Sequence, residues 1–360
     1  MVKEKKRWVP PFERVAAKLR ARIAALQESG ERSLGSEVSI AGETGVSRMT
    51  VRKAVNGLIA EGLVVRRPGV GLFVREAGAS GLVYKALFGN LFWDPSMQAA
   101  RAIRLAAEKV GARVEFFDAG GEEARLLQEI AALPESGAKG AVLFSSHGAA
   151  FDEAIAALAR KNFPFVVIDE AVSLADVPSF VSDNHAGGAL AAQALLEAGH
   201  RQLAFLGDFE ADTVAARWEG FAAACAAAGV EPAKYDLCMS ARLSDARANV
   251  VRALEMALGR TPAPTGLFCS CDAYARLVMR HLADAGKVVP GDLSLVGFDD
   301  DPIAEWTSPA LTTVRQDFGR MGELAFDALV ARVARTAAPS SVQVVPVELI
   351  RRASVTGIGS

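Results

Sequence analysis

The chain has 360 residues, 51% apolar and 23% charged, with four cysteines and a net charge of −2. That length suits about two to three domains with sizeable cores. So few cysteines exclude a disulfide-stapled secreted scaffold and point to a reducing compartment. The opening MVKEKKRWVPPFERV has no apolar leader core. No stretch approaches the ~18 uncharged apolar residues of a membrane span, so a cytoplasmic protein with no membrane partner is expected. The charge is unevenly spread: residues 1–75 hold 15 Lys and Arg against 7 Asp and Glu, and the rest hold 25 against 35. A basic head on an acidic body predicts that the head meets a polyanion and the body does something else.

In the head, Val15, Leu19, Ile23 and Leu26 follow a helical period from Phe12 to about Glu28, after Pro10-Pro11 and before Gly30. Ser36 is placed to cap a short helix to Thr44, and Gly45 allows a tight turn. Ser47 is placed to cap a third helix to about Glu61, with Val51, Val55, Leu58 and Ile59 on one face. Leu63 to Val74 then reads as strand, glycine-rich turn and strand. Helix, turn, helix and hairpin in about 75 basic residues predict a winged helix-turn-helix at 1–75 that meets double-stranded DNA. The start of the third helix would face base edges, with Arg48 and Arg52 on one side and Lys53 nearby. Hydroxyls of Ser36, Ser47 and Thr50 suit phosphates. Arg66, Arg67, Gly69 and Gly71 would form the wing.

These residues resemble the GntR-family DNA-binding domain. The resemblance rests on Leu34-Gly35-Ser36-Glu37, Gly45-Val46-Ser47-Arg48-Met49-Thr50-Val51-Arg52-Lys53-Ala54, Leu58-Ile59-Ala60-Glu61-Gly62-Leu63-Val64 and Arg66-Arg67-Pro68-Gly69-Val70-Gly71-Leu72-Phe73-Val74. It implies DNA contacts from Ser47, Arg48, Thr50 and Arg52, with Gly69 at the minor groove. Two positions depart from it: Gly35 stands where proline is usual, and Val38 where a DNA-contacting arginine is usual. The second departure bears on which operator is read.

Residues 76–81 form a small-residue linker. Beyond it, apolar runs at Leu82–Phe88, Val114–Phe117, Ala141–Phe144, Phe165–Ile168, Leu203–Leu206, Gly266–Cys269 and Leu293–Phe298 alternate with alanine-rich helical stretches. That pattern predicts an α/β fold, two doubly wound lobes with parallel sheets covered on both faces. Ligands of such folds sit beyond the carboxyl ends of the strands. There the chain places Phe92 and Trp93, then His147, Asp169, Asp272 and Asp299. Acids and hydroxyls suit the hydroxyls of a sugar, and flat rings suit its apolar face.

The body motifs resemble the effector domain of the LacI/GalR family, a periplasmic-binding-protein-like fold. They are Ser182-Asp183-Asn184 before a helix, Gly199-His200-Arg201-Gln202-Leu203, Arg217-Trp218-Glu219-Gly220-Phe221, Val296-Gly297-Phe298-Asp299-Asp300 and Pro309-Ala310-Leu311-Thr312-Thr313-Val314-Arg315-Gln316. The resemblance implies effector contacts at Phe92, Trp93, Asp169, Arg217, Asp299 and Gln316. Cys271 replaces the asparagine usual before Asp272, which remains a weaker candidate. It also implies an effector domain over 82–360, with one lobe at about 82–181 and 311–338 and the other at about 182–310 and 339–360. A GntR-like head on a LacI-like body resembles the arrangement of arabinose-responsive repressors.

The resulting expectation is a homodimeric repressor whose operator affinity is set by a small molecule, a sugar or sugar derivative, between two lobes. Two other classes fit part of the pattern: a solute receptor with no DNA role, and a nucleotide-dependent sugar enzyme. No G-x-G-x-x-G follows the first body strand and no Walker pattern occurs. Cys269-x-Cys271 lacks a second pair for zinc, and consecutive Asp299, Asp300 and Asp301 point in different directions. No serine lies in a nucleophile elbow. Neither catalysis, metal nor cofactor is therefore expected.

Overall fold

The computed structural model describes residues 10–29, 33–60, 63–67, 70–74, 82–145, 148–174, 176–237, 243–336 and 342–358. It divides into two units, Met1–Leu82 and Val83–Ser360.

In the first unit the helical spacing of Val15, Leu19 and Ile23 buries one side of α1 (Pro11–Ser29). Those residues meet Ile40 of α2 (Glu37–Thr44) and Val51, Val55 and Leu58 of α3 (Arg48–Ala60). Helix α2 begins in a capping box: Ser36 accepts the Ser39 amide, and the Ser39 hydroxyl accepts the Ser36 amide. A three-stranded sheet of order β1-β3-β2 completes the unit, from β1 (Ser33–Gly35), β2 (Val64–Arg67) and β3 (Gly71–Val74). Strand β1 is an addition to the predicted hairpin. It explains one departure from the family pattern, because Gly35 has φ +85°, which proline cannot adopt. It also explains Gly71, where a Cβ would sit 3.0 Å from the Gly35 carbonyl oxygen. Gly71 thus serves this packing.

The second unit holds two six-stranded sheets. The first has order β14-β8-β7-β6-β4-β5, all pairs parallel. Its strands are β4 (Val83–Phe88), β5 (Arg113–Asp118), β6 (Ala141–Phe144), β7 (Phe165–Ile168), β8 (Ser179–Ser182) and β14 (Val342–Val345). Helices α4 (Asp94–Lys109), α5 (Glu123–Ala132), α6 (Ala149–Arg160) and α11 (Phe318–Val333) belong to this lobe. The second sheet has order β10-β9-β11-β12-β13-β15, parallel except for β15. It is built from β9 (Leu203–Gly207), β10 (Ala233–Asp236), β11 (Gly266–Cys269), β12 (Ser294–Asp299), β13 (Thr312–Arg315) and β15 (Glu348–Ile350). With it pack α7 (Asn184–Glu197), α8 (Asp212–Ala227), α9 (Leu243–Leu258) and α10 (Asp272–Asp284). Central strands β6, β7, β9, β11 and β12 are buried at every position, as doubly covered parallel strands require.

The chain passes between the lobes at 182–184, 316–318 and 345–348. This corrects the expected division, which gave 311–338 to the first lobe and 339–360 to the second. Strand β13 pairs with β12 in the second sheet, α11 then returns to the first, β14 pairs there with β8, and only β15 goes back. Short exchanged segments carry no composition that marks the lobe they join. The Asp183 amide donates to the Val345 carbonyl at 3.0 Å, tying the first passage to the third.

Candidate functional site

In the head, Arg48 and Arg52 emerge from the exposed side of α3. Arg48 has no hydrogen bond or ion pair among the described residues. Arg52 Nε lies 3.6 Å from Glu37 Oε2. Ser47 Oγ accepts the Thr50 amide at 3.2 Å and lies 2.9 Å from Thr50 Oγ1, so both hydroxyls finish the first turn of α3 while staying at its surface. Ser36 is likewise an N-cap. Lys53 is exposed, with its Nζ 4.1 Å from the centre of the Phe12 ring of α1. Arg66 Nη2 bonds Glu37 and Asn56. Gly69 and the Arg67 side chain lie outside the described residues.

In the body, a buried polar cluster forms at the carboxyl ends of β11 and β12. Gly188 of α7 and Gly220 of α8 let the two helices touch: a Cβ at either would fall 1.9 Å from the Arg217 or the His185 carbonyl oxygen. That contact sets Arg217 against the start of α7. Arg217 Nε donates to Asn184 Oδ1 at 2.8 Å, Nη1 donates to the Ser270 carbonyl at 2.6 Å, and the guanidinium lies 3.8 Å over the Phe298 ring. Asp299 Oδ1 lies 4.0 Å from Arg217 Nη1 and accepts Gln316 Nε2 at 2.7 Å. Arg217, Asp299, Gln316 and Asn184 are all buried. Burial holds the Asp299 carboxyl well above its ordinary range, with Arg217 acting against it. Asn184 and Gln316 stand on two of the passages between the lobes, so the cluster is built partly from the hinge.

The first lobe contributes an aromatic shelf. Trp93, at the start of α4, stands edge-on to Phe144 at 5.8 Å, and Phe144 stacks on Phe318 at 5.9 Å. Phe318 comes two residues after Gln316, which links shelf and cluster through one passage. Phe92 beside them is 82% exposed. Asp169 directly follows β7 and Asp299 closes β12: both are buried, with φ of +84° and +113°. Positive φ in a residue other than glycine costs about 1–3 kcal/mol and gathers at functional sites. A cavity of about 500 Å³ is lined by Gly148, Asp152 and Glu170 of one lobe and Glu210 and Asp212 of the other, and none of Trp93, Asp169, Arg217, Asp299 and Gln316 lines it. His147 lies outside the described residues.

Asp272 is corrected. It is fully buried, its Oδ1 accepts the Thr313 hydroxyl at 2.6 Å, and its Oδ2 accepts the Asp301 amide at 2.9 Å. It braces the start of α10 against β12 and β13. Burial raises its carboxyl to about 7. Sequence reading also missed Asn184, Phe144 and Phe318. Their signal was position, either at a strand end or at a passage between lobes. Among the described residues no helix is long and apolar enough to cross a membrane, and no group of three or more His, Cys, Asp or Glu is gathered for a metal.

Residues 11–74 match the gntR family of bacterial regulatory proteins, and residues 192–355 match the periplasmic binding protein-like domain. The protein joins a gntR-type head to a periplasmic-binding-protein-like body. The chain is similar to the HTH-type transcriptional repressor PurR of Erwinia tasmaniensis, 34% identical over 201 residues, 55% of this chain and 58% of that protein. The chain thus spans a little over half the length of such curated relatives. A solved LacI-family regulator from Burkholderia phymatum superposes with a TM-score of 0.64 at 28% identity, over 76% of this chain and 99% of that one. A LacI-family regulator from Enterococcus faecium, solved with bound ribose, shares the fold, with a TM-score of 0.66 at 24% identity over 77% and 99% of the two chains.

Proposed function

We propose that the chain is a transcriptional repressor whose head binds an operator and whose body binds a small effector between its lobes. The observation that carries this is the buried Arg217–Asp299–Gln316–Asn184 cluster, built on two of the passages about which the lobes would move. A ligand bonded there touches the hinge, so closure and binding are one event. Gln316 Oε1 and Asp301 Oδ1 are buried acceptors with no hydrogen-bond partner among the described residues. Buried acceptors favour a ligand rich in donors and reject analogues that lack them. With Trp93 as a flat ledge, the effector is a sugar or related polyol. Asp169, Asp299, Arg217 and Gln316 hold its hydroxyls, and Phe92 and Trp93 cover an apolar face.

Arg48 and Arg52 read bases from α3 in the major groove, while Ser47, Thr50 and the wing hold the backbone. The chain acts as a homodimer, because two heads then meet two half-sites. Effector-free protein binds DNA, and closure of the lobes weakens that binding by the effector's preference for the closed state, typically about 1–3 kcal/mol. A thermal-shift screen against pentoses, hexoses, uronates and nucleosides tests the site. At least one polyol is expected to raise the melting temperature of the wild type and to leave Asp299→Ala unmoved. An equal shift in both would misplace the site.

A further inference from the structure

Glu37 is an acid set among bases on the face that the reading above turns toward DNA. It opens α2 directly after the Ser36 cap, and its side chain is only 13% exposed. It lies 3.6 Å from Arg52 Nε of α3 and 2.5 Å from Arg66 Nη2 of β2. Arg66 Nη2 also donates to Asn56 Oδ1, on α3, at 3.2 Å. One carboxylate therefore ties the helix-turn-helix to the hairpin through two of the arginines assigned to DNA.

Stability is a poor reason for this acid, since ion pairs of half-exposed arginines contribute little. Affinity is a worse one, because a carboxylate near phosphates repels them. What the pairing achieves is geometric. The ion pair, at 3.6 Å too long for a hydrogen bond, draws the Nε edge of the Arg52 guanidinium toward Glu37. Its two Nη groups have no partner among the described residues and remain available to a guanine edge. Arg48, one turn earlier, has no such holder.

We infer that Glu37 is a positioning residue for base recognition. It holds Arg52 and Arg66 in the arrangement in which helix and wing read the operator, and so sets sequence discrimination rather than bulk affinity. This rests on the DNA-binding reading above.

The test uses full-length protein and the duplex that the wild type enriches from a randomised library, with a scrambled duplex as control. Fluorescence anisotropy gives both affinities for wild type, Glu37→Ala, Glu37→Gln, Arg52→Ala and the Glu37→Ala/Arg52→Ala pair. Glu37→Ala is expected to lower the selected-to-scrambled affinity ratio about tenfold, while affinity for the scrambled duplex holds or rises. Glu37→Gln, which keeps an acceptor, recovers part of the ratio and carries the test if the alanine variant melts early. With Arg52 already removed, adding Glu37→Ala changes the ratio less than about twofold. An unchanged ratio in Glu37→Ala, or an equal loss in the Arg52→Ala background, overturns the inference. The second result would mean that Glu37 contacts a base itself or only supports the fold. A wild type that discriminates among no duplexes overturns the DNA reading first, and this one with it.

Discussion

Head and body use arginine in opposite ways. In the head, Arg48 stands in solvent with no described partner, and Arg52 and Arg66 share one carboxylate at the surface. In the body, Arg217 is buried, bonded to an amide and a carbonyl, laid over a ring and set 4.0 Å from Asp299. An exposed cation attracts a polyanion over a range that salt controls. A buried one is fixed by its neighbours, and salt screens it far less. On the proposed reading, the same side chain supplies long-range attraction in one unit and local shape in the other.

Salt separates the two uses most sharply. If the head makes about six or more phosphate contacts, operator affinity falls about a thousandfold between about 50 and about 200 mM salt. Effector affinity, measured by calorimetry over the same range, stays nearly flat. Parallel salt dependence would dissolve the distinction. Next in size is Arg217→Ala, which leaves Asp299 buried without its cation. Breaking a buried pair costs about 3 kcal/mol or more, read from urea unfolding of the body. Arg48→Ala should leave unfolding unchanged and weaken operator binding by about 1–3 kcal/mol in gel-shift titration.

A further contrast lies in pH. The Asp272 carboxyl ionises near 7 in the folded protein against an ordinary 3.8, chiefly through burial. Between these values the folded state keeps a proton that the unfolded chain has released. Stability from this group is therefore complete below the lower value and lost as pH rises toward the upper one. Asp301, raised to about 6 mainly by burial, acts with the same sign. Asp272→Asn removes its share, so the fall in melting temperature between about pH 4 and pH 7 becomes shallower than in wild type. An unchanged slope would show that Asp272 releases its proton normally.

The contrast also explains what could be read from the chain. Strands β6, β7, β9, β11 and β12 were legible because doubly covered strands need unbroken apolar runs. Edge strand β10 reads Ala-Lys-Tyr-Asp with alternating exposure, and β14 is exposed on one side, so neither announces itself. The head was legible almost whole, since caps, turns and an apolar stripe coincide within a few residues. Arg217, Asp299 and Gln316 came from family likeness, and the structure brings them together. Asp272 did not belong with them: a strand-end position does not tell a side chain that lines a cleft from one that braces the sheet behind it. Gly297 held the clue, because a Cβ there would meet Asp272 Oδ1 at 2.0 Å. The exchange of β13, α11, β14 and β15 between lobes left no mark in composition, because segments this short carry too few residues to favour one sheet over the other.

On the proposed reading, polar groups at the hinge transmit effector binding to the head. The direct test titrates the wild type and Asp299→Ala with the best polyol from the screen while anisotropy follows a labelled operator duplex. The account predicts that the polyol weakens wild-type binding by about 5- to 150-fold and leaves the variant's unchanged. Operator binding indifferent to a polyol that the body demonstrably holds would contradict it.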